Sequence, residues 1–70
     1  MDMRQVVAVN VKRYRLAKGM TQESLAQAAG FTQQYLSELE TGKANPTVVT
    51  LYEIGQQLSV TPADLVTPAE

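Results

Sequence analysis

Residues 22–41 read QESLAQAAGFTQQYLSELET, and this stretch decides the fold. Two segments of helical length meet at Gly30 with almost no linker. Leu25, Ala26 and Ala29 form an apolar stripe before the glycine, and Leu36 and Leu39 form another after it. Thr21 and Thr32 stand where N-caps belong, and Glu23 lies near the positive end of the dipole of the helix that begins at Gln22. Ala26 is small enough to let the helix after Gly30 approach the one before it. Gly30 accepts a positive φ without a Cβ penalty, and Phe31 fills the angle between the helices. Any helical hairpin with a glycine in its turn shares part of this pattern. Capped helices on both sides, with three flanking helices of suitable length, favour a DNA-binding helix–turn–helix.

Upstream, Met3, Val7, Val11 and Tyr14 recur on one helical face, so residues 3–18 are predicted to form the first helix. The β-branched run over 6–11 also suits a strand. Its uninterrupted length and the charged turns that follow fit a helix better. Asp2 followed by Gln5 has the spacing of a capping box, and Gly19 is placed to end the helix. Downstream, Gly42 closes the segment 33–41, and Asn45-Pro46 signals a turn. Thr47 caps a helix over 48–58 with Val48, Leu51, Ile54 and Leu58 on one face. Thr61-Pro62-Ala63-Asp64 supplies a cap, a proline at the first helical position and an acid at the third, so a last short helix runs to about 65. The expected fold class is all-α, a bundle of five short helices with no strand. Helices this short are marginal alone and must share one core: Val7, Val11, Tyr14, Met20, Leu25, Ala26, Ala29, Phe31, Leu36, Leu39, Val48, Leu51, Ile54, Leu58 and Leu65. One domain is expected over 1–66, with a frayed tail over 67–70.

Seventy residues make one small domain. Such a chain buries only roughly 60% of its unfolded surface, so little stability is to spare. Cysteine and histidine are both absent, which excludes disulfides, Cys/His metal sites and any catalysis that needs an imidazole or thiolate. There is no glycine-rich phosphate loop and no nucleophile–base pair. No enzyme activity, cofactor, metal or small-molecule ligand is therefore expected. Net charge is −1, but it is unevenly spread. Residues 1–18 carry Arg4, Lys12, Arg13, Arg15 and Lys18 against Asp2, a net +4, whereas residues 44–70 carry Glu53, Asp64 and Glu70 and no base. Such polarity can mark one face for a polyanion, and it also suits a basic helix exposed to water. No apolar run approaches the length of a membrane span. The start lacks a basic segment followed by a long apolar one, so a cytoplasmic protein is expected.

Taken together, Arg15-Leu-Ala-Lys-Gly19-Met-Thr21-Gln22-Glu-Ser-Leu25-Ala26, Gly30-Phe-Thr32, Tyr35-Leu36-Ser37, Leu39-Glu40, Gly42 and Asn45-Pro46-Thr47 resemble the Cro/C1-type helix–turn–helix family of phage repressors and bacterial regulators. The resemblance covers roughly residues 7–65 and implies five α-helices, binding to double-stranded DNA, and a two-fold homodimer on a palindromic operator. It also implies a bacterial or phage-encoded protein that works at the nucleoid. Gly55 departs from the pattern, in which alanine is usual; glycine costs about 1 kcal/mol in a helix interior.

The resemblance sends the third helix into the major groove with its N-terminal residues toward base edges. Here these are Thr32, Gln33, Gln34 and Ser37. A glutamine carries a donor beside an acceptor and matches adenine N6/N7, although two glutamines are also ordinary polar surface. Glu38 has the acceptor for cytosine N4 but repels phosphate. Gln22 is implied as a phosphate contact at a helix N-terminus, with Lys43 and Asn45 on the phosphates beyond the recognition helix. Arg13 or its neighbour Lys12 is placed likewise on the first helix, or simply solvated. Tyr35 either packs at the rim or lies along the backbone. Arg15 and Glu40 are implied as an ion pair between the first and third helices. Val49, Tyr52, Val60 and Val66 remain as an apolar set for a partner copy, or as scattered surface hydrophobes. The leading function is a sequence-specific transcriptional regulator, most simply a repressor. The alternative is an antitoxin-type interaction module that also binds its own operator.

Overall fold

The computed structural model describes residues 2–68 and contains five helices: α1 Met3–Ala17, α2 Gln22–Ala29, α3 Gln33–Glu40, α4 Val48–Leu58 and α5 Pro62–Leu65. No strand occurs among the described residues. Of the domain expected over 1–66, residue 1 lies outside the described residues. So do residues 69 and 70 of the tail expected over 67–70. Thr67 is held in place: its hydroxyl donates to the Ala63 carbonyl at 2.7 Å, and its own carbonyl accepts from Asn10 at 2.8 Å.

Every helix starts on a side-chain cap. Thr21, Thr32, Thr47 and Thr61 each leave the helical region of φ/ψ, and each hydroxyl accepts from the backbone N–H three residues on, at 3.0, 3.1, 3.1 and 3.2 Å respectively. Each such cap contributes about 1 kcal/mol. Asp2 caps α1 through the Arg4 N–H, and that hydrogen bond holds its carboxyl below the usual carboxylate range. The reciprocal bond expected from Gln5 is not made. Its amide lies instead beside Gly42, where a Cβ would collide with it. Full capping boxes form at Thr21/Ser24 and Thr61/Asp64.

The core comprises Val7 and Val11 of α1, Leu25 and Ala26 of α2, Leu36 and Leu39 of α3, Leu51, Ile54 and Leu58 of α4, and Leu65 of α5. Tyr14, Met20, Ala29, Phe31, Ala44 and Val60 pack against it. Val48, expected in the core, is 73% exposed. The inward stripe of α4 centres on Leu51, Ile54, Gly55 and Leu58; at 100° per residue, Val48 falls on the edge of that stripe, in the first turn.

Gly55 has a steric reason. The chain leaves α4 through Ser59 at φ 60°, and the Val60 N–H returns to the Gly55 carbonyl at 3.0 Å. That return brings the Val60 carbonyl oxygen to 2.5 Å from where a Cβ on residue 55 would stand. Backbone, not a flexible side chain, occupies the space, so alanine cannot enter without displacing the α4–α5 connection. The entropic cost of glycine is accepted here because the helix end passes so close.

Candidate nucleic-acid interface

The reading edge depends on how α2 hands over to α3. Gly30 takes φ 84°, which an L side chain rarely adopts, and the Phe31 N–H donates back to the Ala26 carbonyl at 2.8 Å. Thr32 then caps α3 immediately, so the two helices diverge within three residues. Leu36 and Leu39 are buried at the core and fix which face of α3 turns outward. Thr32, Gln33, Gln34 and Glu38 are exposed, and Ser37 is half-buried. Five candidate base-reading residues therefore occupy the cap and first turns of one helix, away from its leucines. Tyr35 is half-buried, with its ring 5.3 Å from that of Phe31 at 40°, which places it at the rim of the α2–α3 corner.

An ion pair locks this hairpin from behind. Arg15 of α1 donates from Nε to Glu40 Oε2 at 2.7 Å and from Nη2 to Oε1 at 3.0 Å. Its third nitrogen, Nη1, donates to the Met20 carbonyl at 2.8 Å. Side-chain exposure is only 9% for Arg15 and 3% for Glu40. Two parallel bonds from a planar guanidinium constrain orientation as well as distance. Gln22 joins them, with Nε2 donating to Glu40 Oε1 at 3.1 Å. The three residues thus tie α1, the start of α2 and the end of α3 together. Gln22 is half-buried here, with a neighbour that the phosphate role alone did not suggest.

Beyond α3 the Lys43 and Ala44 N–H groups both donate to the Glu38 carbonyl, at 2.9 and 3.2 Å, so the loop folds tightly onto the helix end. Lys43 and Asn45 are exposed on it. Arg13 lies elsewhere. Its Nη2 donates to Asn10 Oδ1 at 3.3 Å and its guanidinium carbon sits 4.5 Å from the Tyr14 ring centroid. Asn10 in turn faces α5, so Arg13 is turned to that side of α1 rather than toward Glu40.

Asn10 itself was missed by sequence reasoning. It is fully buried, and its Nδ2 donates to the carbonyls of Leu65 and Thr67 at 2.9 and 2.8 Å, with Asp64 at 3.4 Å. The signal was present: on the helix wheel a polar residue stands between Val6 and Tyr14, at the edge of the apolar face that includes Val7 and Val11. No buried side-chain polar atom among the described residues lacks a partner. Also among them, no acidic cluster is arranged to hold a metal ion and no helix is long and apolar enough to cross a membrane.

Comparison with known proteins agrees with this geometry. Residues 11–65 match the helix-turn-helix family HTH_3. The chain is 54% identical over 70 residues to an uncharacterized HTH-type transcriptional regulator of Sinorhizobium fredii, spanning 100% of this chain and 91% of that one. It is 31% identical over 67 residues to control protein C.SmaI of Serratia marcescens, spanning 96% of this chain and 80% of that one. The crystal structure of the hypothetical transcription factor NHTF from Neisseria superposes with a TM-score of 0.92 at 31% identity, covering 96% of this chain and 77% of that one. With a two-helix corner that exposes a polar first turn and matches of this extent, the chain belongs to the Cro/C1-type helix–turn–helix family, a family of DNA-binding transcriptional regulators and not of enzymes.

Proposed function

We propose that the protein is a repressor that binds a palindromic operator as a two-fold dimer, reading each half-site with α3. The observation that carries this reading is the division of α3 into two faces, with Leu36 and Leu39 buried while Thr32, Gln33, Gln34 and Glu38 stand in solvent. Gln33 and Gln34 each offer an amide oxygen to accept from adenine N6 and an amide nitrogen to donate to adenine N7 in the major groove. Thr32, Ser37 and Glu38 complete the base-reading set. Gln22, Lys43 and Asn45 position the domain on phosphates, and Tyr35 reaches the same backbone with its hydroxyl from the rim of the α2–α3 corner. Gln22 does so from a side chain already oriented by Glu40.

One domain gives a small footprint, and a second copy doubles it. The apolar side chains left outside the core favour such a pairing. Val49 and Tyr52 of α4 and Val66 after α5 are exposed, and so is Val48 beside them; Val60 is only half-exposed and packs on the core. Occupying a promoter as a dimer is the simplest mode of action, and it sets the site of action in the cytoplasm.

Selection of bound duplexes from a random pool, at a stated salt concentration because phosphate contacts make affinity salt-dependent, tests the reading. The expected product is an inverted repeat with half-sites about 34 Å apart or a multiple of it. Enrichment of a single unrepeated site would refute the two-fold arrangement. Failure to enrich any sequence would refute specific recognition.

A further inference from the structure

Six bases are available to a chain that must hold a polyanion, and most are already engaged. Arg15 is spent on Glu40 and Met20. Arg13 bonds Asn10 on the α5 side of α1. Lys18 donates to the Ser59 hydroxyl at 2.9 Å, at the C-terminal end of α1. Lys43 sits in the loop after α3, where the proposed phosphate contacts lie. Arg4 and Lys12 remain.

Arg4 stands next to that loop. It lines one groove together with Asn45 and Pro46 of the loop and with Leu51 and Val66, and the adjacent Gln5 amide lies against Gly42. The first turn of α1 therefore abuts the segment that follows the recognition helix. Asp2 holds Arg4 only at Nε, across 3.5 Å, with both side chains about half exposed. Neither terminal nitrogen of Arg4 donates to any described residue.

We propose that Arg4 is a DNA phosphate contact, working with Lys43 and Asn45 on the strand that flanks the major groove, and that Asp2 moderates it. The inference rests on the DNA-binding reading above. A guanidinium offers a fork of donors that matches a phosphodiester, and the Nη groups of Arg4 are available for it. When α3 lies in the groove, the loop behind it meets the backbone, and Arg4 arrives with the loop. The neighbouring Asp2 carboxylate opposes a phosphate at the same place, so its charge weakens the contact that Arg4 makes.

Affinity for duplex DNA measured against salt concentration tests the assignment. Each phosphate contact contributes about 0.9 to the slope of log affinity against log salt. Arg4→Ala is expected to flatten the slope by about 0.9 per protomer on specific and random DNA alike. Asp2→Asn is expected to raise affinity on both. Lys18→Ala removes the same charge fourteen residues away, about 21 Å along the helix, and is expected to leave the slope unchanged. An unaltered slope in Arg4→Ala overturns the proposal, as does an equal flattening in Lys18→Ala, which would mean that only net charge matters; unchanged affinity in Asp2→Asn overturns the role given to Asp2. If the unmodified protein binds no duplex at all, the DNA-binding reading itself fails, and this result is distinct from either of the others.

Discussion

Glu40→Ala is expected to lower unfolding free energy by about 3–5 kcal/mol, the usual effect of removing one partner from a buried ion pair. The cause is what remains. Arg15 stays buried with two of its donors unmatched, since only the Nη1 bond to Met20 survives, and Gln22 loses its anchor at the same moment. Domains of this kind have roughly 5–15 kcal/mol in total, and a short chain sits near the bottom of that range. The variant should therefore be largely unfolded near physiological temperature. Arg15→Ala has the mirror effect, leaving a carboxylate 3% exposed with only the Gln22 amide for company. Joint replacement of Arg15 by Met and Glu40 by Leu should recover most of the loss, because apolar side chains of similar volume need no partner. Urea unfolding followed by circular dichroism measures all three. Single variants within 1 kcal/mol of the unmodified protein, or Arg15→Ala that keeps its stability yet loses DNA affinity, would show that the pair serves binding and not the fold.

Asn10→Leu is the second large effect, at about 1–3 kcal/mol, the cost of leaving the buried Leu65 carbonyl without a donor. The carbonyls of Leu65 and Thr67 lose the amide that satisfies them, and α5 loses its polar tie to α1. Asn10→Asp separates this account from simple packing, since the side chain is almost isosteric. A carboxylate facing carbonyl oxygens is repelled and burial disfavours its charge, while the exposed Arg13 guanidinium at the other oxygen favours that charge only weakly because water screens it, so the folded-state pKa of the new group rises above its unfolded value. A group of that kind stabilises the fold below its unfolded pKa, and the stabilisation is lost as pH rises through the folded one. Relative to the unmodified protein, Asn10→Asp should be far weaker at pH 7 and should regain stability toward pH 4, where a protonated acid can donate. A deficit independent of pH would show that the Asn10 amide does not hold the α5 carbonyls.

Both effects lie at positions that periodicity alone reads poorly. The helices were legible because threonine caps and glycine stops are local signals, and the apolar stripes of α2 and α3 follow from spacing within a turn. Val48 was misread for the opposite reason: a helical period assigns a face but not how far the core extends along it. Gly55 looked like a small loss in helix propensity because the reason for it, the Val60 carbonyl, comes from a chain reversal five residues later. Asn10 is legible as a polar residue at the edge of an apolar face, but its partners stand more than fifty residues away in sequence. The outward polar turn of α3 was legible through the resemblance, and the placement of Arg4 beside the α3–α4 loop was not, because it depends on how α1 packs across the end of α3.

Base reading is assigned to the exposed amides of α3. It is tested most directly by the ratio of affinities for the selected operator and for random duplex, at one salt concentration, for the unmodified protein, Gln33→Ala and Gln34→Ala. Loss of about 1–3 kcal/mol of that discrimination in at least one variant, with relaxed preference at one base position of each half-site and unchanged affinity for random DNA, is the predicted result. An unchanged ratio and unchanged base preferences in both variants would show that Gln33 and Gln34 do not read bases.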